Sequence, residues 1–301
     1  MLEGKVILVT GGGRGVGRCI AIEAGRAGAR VVVNDLGGDE AGIGGDLTPA
    51  QSVVELIKSH GGEAVADGHS VADWDSAHNI VKHATDVFGR LDGVVNNAGI
   101  LRDKIFHRME REEFESVVQV HLMGSFYISR AAANVFRQQN SGAFVHMSST
   151  SGLIGNLGQA NYMAAKLGIV GLSKAIAMDM QRYNVRSNAI APFAWTRLVG
   201  TIPESTPAAK KRVEGLRKLK PELIAPFIVA LLCDEAAKVT GQVFGTRANE
   251  IYLFSQSRPI KTMHTSTGWT PETVVEQVFP AMEAAFYPLH RSGDVFTWDP
   301  V

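Results

Sequence analysis

Thr10-Gly11-Gly12-Gly13-Arg14-Gly15-Val16-Gly17 is the stretch that decides the fold of this 301-residue chain. An apolar run, Val6 to Val9, leads into it, and a helical pattern, Val16 to Ala27, leads out. A strand that turns through glycines into a helix aims backbone amides and the positive end of the helix dipole at one spot, which suits a pyrophosphate. The bland alternative is a glycine-rich turn with no phosphate to hold. Against it stands Asp35, which ends the next β-branched run eighteen residues beyond Gly17. A carboxylate there accepts hydrogen bonds from a ribose 2′-hydroxyl and repels a 2′-phosphate, which favours NAD over NADP. Arg14 pulls the other way, since a guanidinium in the loop can pair with a 2′-phosphate or turn to solvent.

Outward from this anchor, short β-branched runs alternate with longer helical patterns, the mark of βαβ units around a parallel sheet. Strands are expected at Lys5 to Thr10, Arg30 to Asp35, Ala64 to Ala66, Gly93 to Asn96, Ala143 to Met147, Arg186 to Ile190 and Gln242 to Gly245. Helices are expected at Val16 to Ala27, Pro49 to His60, Ser76 to Phe88, Arg111 to Arg137, Gln159 to Arg182 and Pro221 to Cys233. Runs such as Val31-Val32-Val33 fit strands covered on both faces. Three segments break the rhythm. Leu36 to Leu47 is a long glycine-rich loop that should wrap a ligand or a neighbouring loop. Residues 193–220 have the composition of a lid, and 246–301 read as a C-terminal extension with one helix, Pro271 to Tyr287. The division is one domain over 1–245 plus that extension.

Composition narrows the function classes. The chain holds 30 Lys+Arg and 30 Asp+Glu, so no net field points to nucleic acid or a membrane surface, and a small-molecule ligand is the expectation. Cys19 and Cys233 lack disulfide-framework or metal-ligand spacing and read as core residues in a reducing compartment. No 18-residue apolar run exists, so a soluble cytoplasmic protein is expected, and the final Trp298-Asp299-Pro300-Val301 matches no targeting signal.

Chemistry-bearing residues gather at the strand ends. Asn96-Asn97-Ala98-Gly99 closes the fourth strand, where small residues let a cofactor approach the backbone. Ser148, Ser149 and Ser151 close the fifth. Tyr162 and Lys166 lie four residues apart on one face of the following helix, and a cation beside a phenol eases loss of its proton. Taken alone, such a pair is as well explained by a half-buried ring and a solvated charge.

Together, Thr10-Gly11-x3-Gly15-x-Gly17, Asn96-Asn97-Ala98-Gly99, a serine thirteen residues before the tyrosine, and Tyr162-x3-Lys166 resemble the short-chain dehydrogenase/reductase family. The resemblance runs from about Gly4 to Gly245 and implies a single Rossmann-type α/β domain, a doubly wound parallel sheet of about seven strands with helices on both faces. It implies hydride transfer between a nicotinamide cofactor and a carbonyl or alcohol carbon. Tyr162 would be the acid/base, Lys166 the ammonium that lowers its pKa and binds the nicotinamide ribose, and Ser149 the donor to the substrate oxygen. The cofactor would contact Gly11, Arg14, Gly15, Val16, Gly17, Asp35, Ser70, Val71, Asn97, Ala98, Gly99, Tyr162, Lys166, Pro192 and Thr196. No metal is implied.

Two positions depart from the family pattern. His121 stands where the family usually has an asparagine that holds a water of the proton relay; it could bind that water, titrate itself, or simply pack. His69 stands where many members have an acid that contacts the adenine, which puts that contact in doubt. Phe193 also replaces the glycine that commonly follows Pro192.

Val33-Asn34-Asp35-Leu36-Gly37-Gly38, Gly99-Ile100-Leu101-Arg102-Asp103-Lys104, Val120-His121-Leu122 and Gly158-Gln159-Ala160-Asn161-Tyr162 narrow the resemblance to the 3-hydroxyacyl-CoA dehydrogenase branch. That branch includes the dehydrogenase domain of multifunctional enzyme type 2, also known as a 17β-hydroxysteroid dehydrogenase, and the chain is expected to be similar to its free-standing bacterial relatives. It implies NAD-dependent oxidation of a secondary alcohol on an acyl-CoA or steroid-like substrate. Lys210, Lys211, Arg212, Arg217, Lys218 and Lys220 could meet CoA phosphates or be a solvated face. Leu153, Ile154, Phe193 and Trp195 could line an apolar pocket or pack the lid. Gly168, Gly171 and Ala165 suit helix packing between the subunits of a homodimer or homotetramer, or packing on the chain's own sheet. The alternatives to an NAD-dependent enzyme are an NADP-dependent ketoreductase and a catalytically silent dinucleotide-binding protein, the latter disfavoured by the intact serine, tyrosine and lysine.

Overall fold

The valine-rich runs form the middle of a sheet covered on both faces. The computed structural model describes residues 1–195 and 207–300, and of residues 207–209, 211 and 212 only the backbone. The first four strands are β1 (Val6–Thr10), β2 (Arg30–Asn34), β3 (Glu63–Asp67) and β4 (Gly93–Asn96). They are followed by β5 (Gly142–Met147), β6 (Val185–Phe193), β7 (Val243–Arg247) and β8 (Glu250–Leu253). Their order is β3-β2-β1-β4-β5-β6-β7-β8, parallel except for the β7–β8 pair. Seven strands were expected. The eighth is an antiparallel edge strand formed by residues past 245, where the chain turns back at Ala248, a non-glycine residue with positive φ of 50°.

Alternation along β1 shows why these runs contain so few polar residues. Ile7 and Val9 enter a core built with α1 (Gly15–Arg26), α2 (Thr48–Ser59) and α9 (Ala225–Leu232). Val6 and Leu8 enter a second core with α3 (Trp74–Phe88) and α5 (Gly124–Gln139). Both buried cysteines, Cys19 and Cys233, belong to the first core and are unpaired.

The helix expected over Arg111 to Arg137 is continuous in space but not uniform. It runs as α4 (Arg111–Val118), then a π turn (Gln119–Met123), then α5. One residue too many per turn shifts the side chains that follow it, and such insertions occur where a helix must aim a particular group. Here the group is His121.

The crevice for a ligand follows from strand order. The chain builds β1, β2 and β3 outward on one side, then crosses back to β4 on the other side of β1. The loops after β1 and β4 therefore diverge and leave a gap at their carboxyl ends. Leu36 to Leu47 wraps a neighbouring loop, with Arg102 donating to the Ala41 carbonyl at 2.9 Å and Leu101 N–H to the Glu40 carbonyl at 3.0 Å.

Candidate active site

The glycine loop closes on itself tightly. A Cβ on Gly17 would sit 2.1 Å from the Gly11 carbonyl oxygen, and one on Gly11 2.8 Å from Ala98 Cα, so only hydrogen fits at either place. Asn97 holds the loop by donating its amide to the Thr10 and Gly11 carbonyls, each at 3.0 Å. Its side chain therefore shapes the cradle. At the N-terminus of α1 the amides of Gly15, Val16 and Gly17 have no carbonyl within the helix to bond, which suits a diphosphate.

Asp35 turns toward the same loop. Its carboxylate accepts from Gly13 N–H at 2.8 Å and Gly37 N–H at 2.7 Å. Arg14, partly exposed, donates from one guanidinium nitrogen to the Gly38 carbonyl at 2.9 Å, which ties it to the glycine-rich loop. Farther out, Val71 is buried against Gly124, and the Ser70 hydroxyl accepts from Ala72 N–H.

His121 is buried, and its Nε2 lies 3.0 Å from the Ile100 nitrogen and 2.8 Å from the Ile100 oxygen. Nδ1 is buried without a protein partner. The ring meets Tyr162 edge-on at 5.2 Å between centroids. Burial first, and then the charge of Lys166, push its pKa well below the usual histidine range. Burial therefore favours the neutral ring of His121. Gly99 makes room for it, since a Cβ there would fall 2.2 Å from His121 Cε1. The small residue needed after β4 thus serves the histidine.

The three serines after β5 separate. Ser148 is buried and donates to the Lys166 carbonyl at 2.8 Å, pinning β5 to α7 (Ala160–Asp179). Ser151 is buried at the start of the short helix α6 (Thr150–Leu153). Ser149 is the one at the tyrosine, capping α6 by accepting from Ser151 N–H at 3.1 Å. Lys166 is buried, donates to the Met147 carbonyl, and holds its Nζ 5.4 Å from the centre of the Tyr162 ring.

Burial dominates the proton affinities of both groups. Burial pushes Tyr162 up to about 12; the Ser149 hydroxyl draws it back and the Asp103 carboxylate adds to the rise. Burial also pushes Lys166 down to about 7. Both groups have left water, so burial disfavours the charged form of each.

A family model for short chain dehydrogenases matches residues 5–200. The chain belongs to the short chain dehydrogenase family. A Mycobacterium tuberculosis protein described as a short-chain type dehydrogenase/reductase is 46% identical over 84% of this chain and 86% of its own length. The peroxisomal multifunctional enzyme type 2 of Mus musculus is 45% identical over 83% of this chain, which spans only 32% of that enzyme. A short chain dehydrogenase crystal structure from Mycobacterium avium superposes with a TM-score of 0.82 at 39% identity, covering 95% of this chain and 97% of that one.

The dehydrogenase is thus an oxidoreductase that binds a nicotinamide dinucleotide and acts on a small-molecule substrate. Beyond the motifs, its fold adds residues that pattern reasoning passed over. Gln159, one turn before Tyr162, donates to the Asp103 carboxylate at 2.7 Å and accepts from Asn156 at 3.0 Å. Burial pushes the Asp103 carboxyl up, and the Gln159 bond draws it down. The signal was present in Arg102-Asp103-Lys104 and Gly158-Gln159, but nothing in a one-dimensional pattern joins them.

Pro192 lies at the carboxyl end of β6, in register with Thr246 of β7. Thr196 lies outside the described residues. Helix α8 (Pro207–Arg217) presents exposed Lys210 and Arg217, with Lys218 and Lys220 exposed just beyond. The last residues return to this side. Ser292 N–H donates to the Gly155 carbonyl at 2.9 Å, Phe296 packs on Phe193 at 4.8 Å, and Arg247 donates to the Trp298 carbonyl at 2.5 Å.

Proposed function

We propose that this dehydrogenase transfers a hydride between NAD and a secondary alcohol or ketone carried on an acyl-CoA or steroid-like substrate. The observation that carries the reaction class is the Ser149, Tyr162 and Lys166 group beside neutral His121, at the edge of the crevice the glycine loop frames. Asp35 supports NAD, because its carboxylate is held at the loop while Arg14 is engaged with Gly38. The substrate class draws on the peroxisomal relatives; one from Saccharomyces cerevisiae, 42% identical over 84% of this chain, is a hydratase-dehydrogenase-epimerase. Hydration of a double bond yields the secondary alcohol that a dehydrogenase then oxidises.

In the oxidative direction, Ser149 donates to the substrate oxygen and orients it. Tyr162 takes the hydroxyl proton as the hydride leaves the same carbon, so no charge accumulates on oxygen. A bound nicotinamide would supply the hydride acceptor, and its positive charge would favour ionised Tyr162. Lys166 lies below the tyrosine ring, where its ammonium supports the phenolate. His121 keeps its neutral ring against Tyr162 and offers Nδ1 as a hydrogen-bonding atom for the proton's route. Asn97 and Gly17 shape the loop that would hold the diphosphate, with Val16 in the first turn, while Pro192 would lie on the nicotinamide side and Thr196 would meet its carboxamide.

A homodimer or homotetramer built on α5 and α7 fits the exposed Phe126, Leu167 and Met178 together with open Gly171. Of the small residues expected there, Ala165 and Gly168 face inward: Ala165 is fully buried beside Tyr162, and a Cβ on Gly168 would meet Leu122 at 3.0 Å. A cytoplasmic setting fits the two free, buried cysteines. Among the described residues, no helix is long and apolar enough to cross a membrane.

The test is NAD reduction by purified protein with a series of 3-hydroxyacyl-CoAs and hydroxysteroids, beside Tyr162→Phe. Loss of a proton acceptor should lower kcat about 10²- to 10⁴-fold while NAD binding persists. Undiminished turnover in Tyr162→Phe overturns the assignment.

A further inference from the structure

The loop after β4 is stitched to the start of α7, just ahead of Tyr162. Asn161 Nδ2 donates to the Arg102 carbonyl at 2.9 Å, Gln159 Nε2 to Asp103 Oδ2 at 2.7 Å, and Lys104 N–H to the Gly158 carbonyl at 2.8 Å. Arg102, Asp103 and Lys104 are thereby fixed, one after another, to the residues that lead into the tyrosine. The seam brings the Asp103 carboxylate close enough to Tyr162 to make the phenol harder to ionise.

The charge of Asp103 is not cancelled by its neighbours. Arg102 is turned to the Ala41 carbonyl, through Nε at 3.2 Å and a terminal nitrogen at 2.9 Å, and Lys104 pairs with Glu113 at 2.9 Å. Among the described residues, Asp103 joins no ion pair, and its one hydrogen-bond partner is Gln159. An amide N–H orients a carboxylate but leaves its charge in place. Lys166, the cation nearest the tyrosine, is buried and pushed down to about 7, which weakens it as a counter-charge. Asp103 itself is exposed. It therefore sets a negative potential at the place where a substrate must come to meet Tyr162.

We propose that Asp103 is a specificity-determining residue that excludes anionic substrates, so that the site takes a neutral 3-hydroxyacyl thioester in preference to the free 3-hydroxy acid. This rests on the acyl-substrate reading above and deepens it by naming the charge the acyl group must not carry. In a 3-hydroxy acid the carboxylate stands two carbons from the reacting carbon. Placing that hydroxyl against Ser149 and Tyr162 brings the substrate's negative charge toward the charge of Asp103, and the two repel. Thioester formation removes the charge and leaves the reacting carbon unchanged. Asp103 makes and breaks no bond in this role; it acts through its charge, and Gln159 holds that charge in position.

The experiment measures NAD reduction with 3-hydroxyacyl N-acetylcysteamine thioesters of increasing chain length and with the matching free acids, at about pH 8, where carboxylates are ionised. The readout is the ratio of kcat/KM, thioester over acid, in which effects common to both substrates cancel, a changed Tyr162 or a smaller folded fraction included. The wild type should favour the thioester. Asp103→Asn keeps an oxygen that can accept from Gln159 but carries no charge, and it should narrow the ratio about tenfold by raising the value for the acid. Asp103→Glu, which keeps the charge, should keep most of the wild-type ratio. If Asp103→Asn does not fold, Asp103→Ser carries the same expectation. A wild type that favours the acid, or a neutral variant that changes both substrates alike and keeps the wild-type ratio, overturns the proposal while the dehydrogenase assignment stands. If the wild type oxidises no 3-hydroxyacyl thioester of any length, the acyl-substrate reading falls and takes the proposal with it.

Discussion

Gly99→Ala tests the link between the glycine after β4 and the histidine on the π turn. The added Cβ would lie 2.2 Å from His121 Cε1, 2.9 Å from Nδ1 and 3.0 Å from Nε2, roughly 1.2 Å short of ordinary contact at the closest atom. Left-handed strain does not enter, since Gly11 and Gly15 have positive φ but Gly99 does not. The ring cannot yield cheaply, because Ile100 holds Nε2 from one side and Tyr162 packs at 5.2 Å. Displacing it forfeits a buried hydrogen bond, about 1–3 kcal/mol, and overpacks the site at a similar cost. A net loss of about 2–6 kcal/mol is expected. Urea unfolding followed by tryptophan fluorescence, on Gly99→Ala, His121→Ala and the double variant, measures it. With the ring gone the methyl has space, so the alanine at 99 should cost less than about 0.5 kcal/mol in the His121→Ala background. An equal cost in both backgrounds would refute the clash.

Three further outcomes can be measured directly. Without dinucleotide, Lys166 should make stability rise with pH: its folded pKa of about 7 lies below the ordinary 10.5, so between those values the unfolded chain holds more protons. Lys166→Met should flatten that rise in urea midpoints, whereas Tyr162, raised to about 12, acts only above pH 10 and in the opposite sense. Asp35→Ala should shift the NAD-to-NADP ratio of kcat/KM toward NADP by about tenfold or more, and an unchanged ratio would deny Asp35 its role at the ribose. Phe296→Ala removes ring contacts with Phe193, Tyr252 and Trp298, so limited proteolysis should cut the C-terminal residues faster; unchanged cleavage would show that these aromatics do not hold it.

How much of the site was legible depended on how local its parts are. The glycine loop, the acid after β2 and the Tyr162–Lys166 spacing can be read because a turn, a strand end and one helical face are each set by residues close in sequence. The thirteen-residue step back to Ser149 survives for the same reason, with α6 and a short turn filling the interval. By contrast, the three serines look alike in sequence, and only the packing of β5 on α7 turns Ser148 to a backbone carbonyl and leaves Ser149 at the tyrosine.

The sequence by itself determined the βαβ order, the glycine loop and the spacing of Ser149, Tyr162 and Lys166, because hydrophobic period, glycine sterics and helix geometry act over a few residues. Tertiary structure alone decided the protonation states and the second ring of contacts. Whether Lys166 sits near 7 or 10.5, whether His121 is charged, and whether the charge of Asp103 is cancelled depend on burial and on partners tens of residues away: Ile100 for His121, and Gln159 for Asp103. The same holds for the eighth strand and the aromatic residues that bring the chain's end back over Phe193. Electrostatic free energies depend on the water excluded and the charges left nearby, and no pattern along the chain records either.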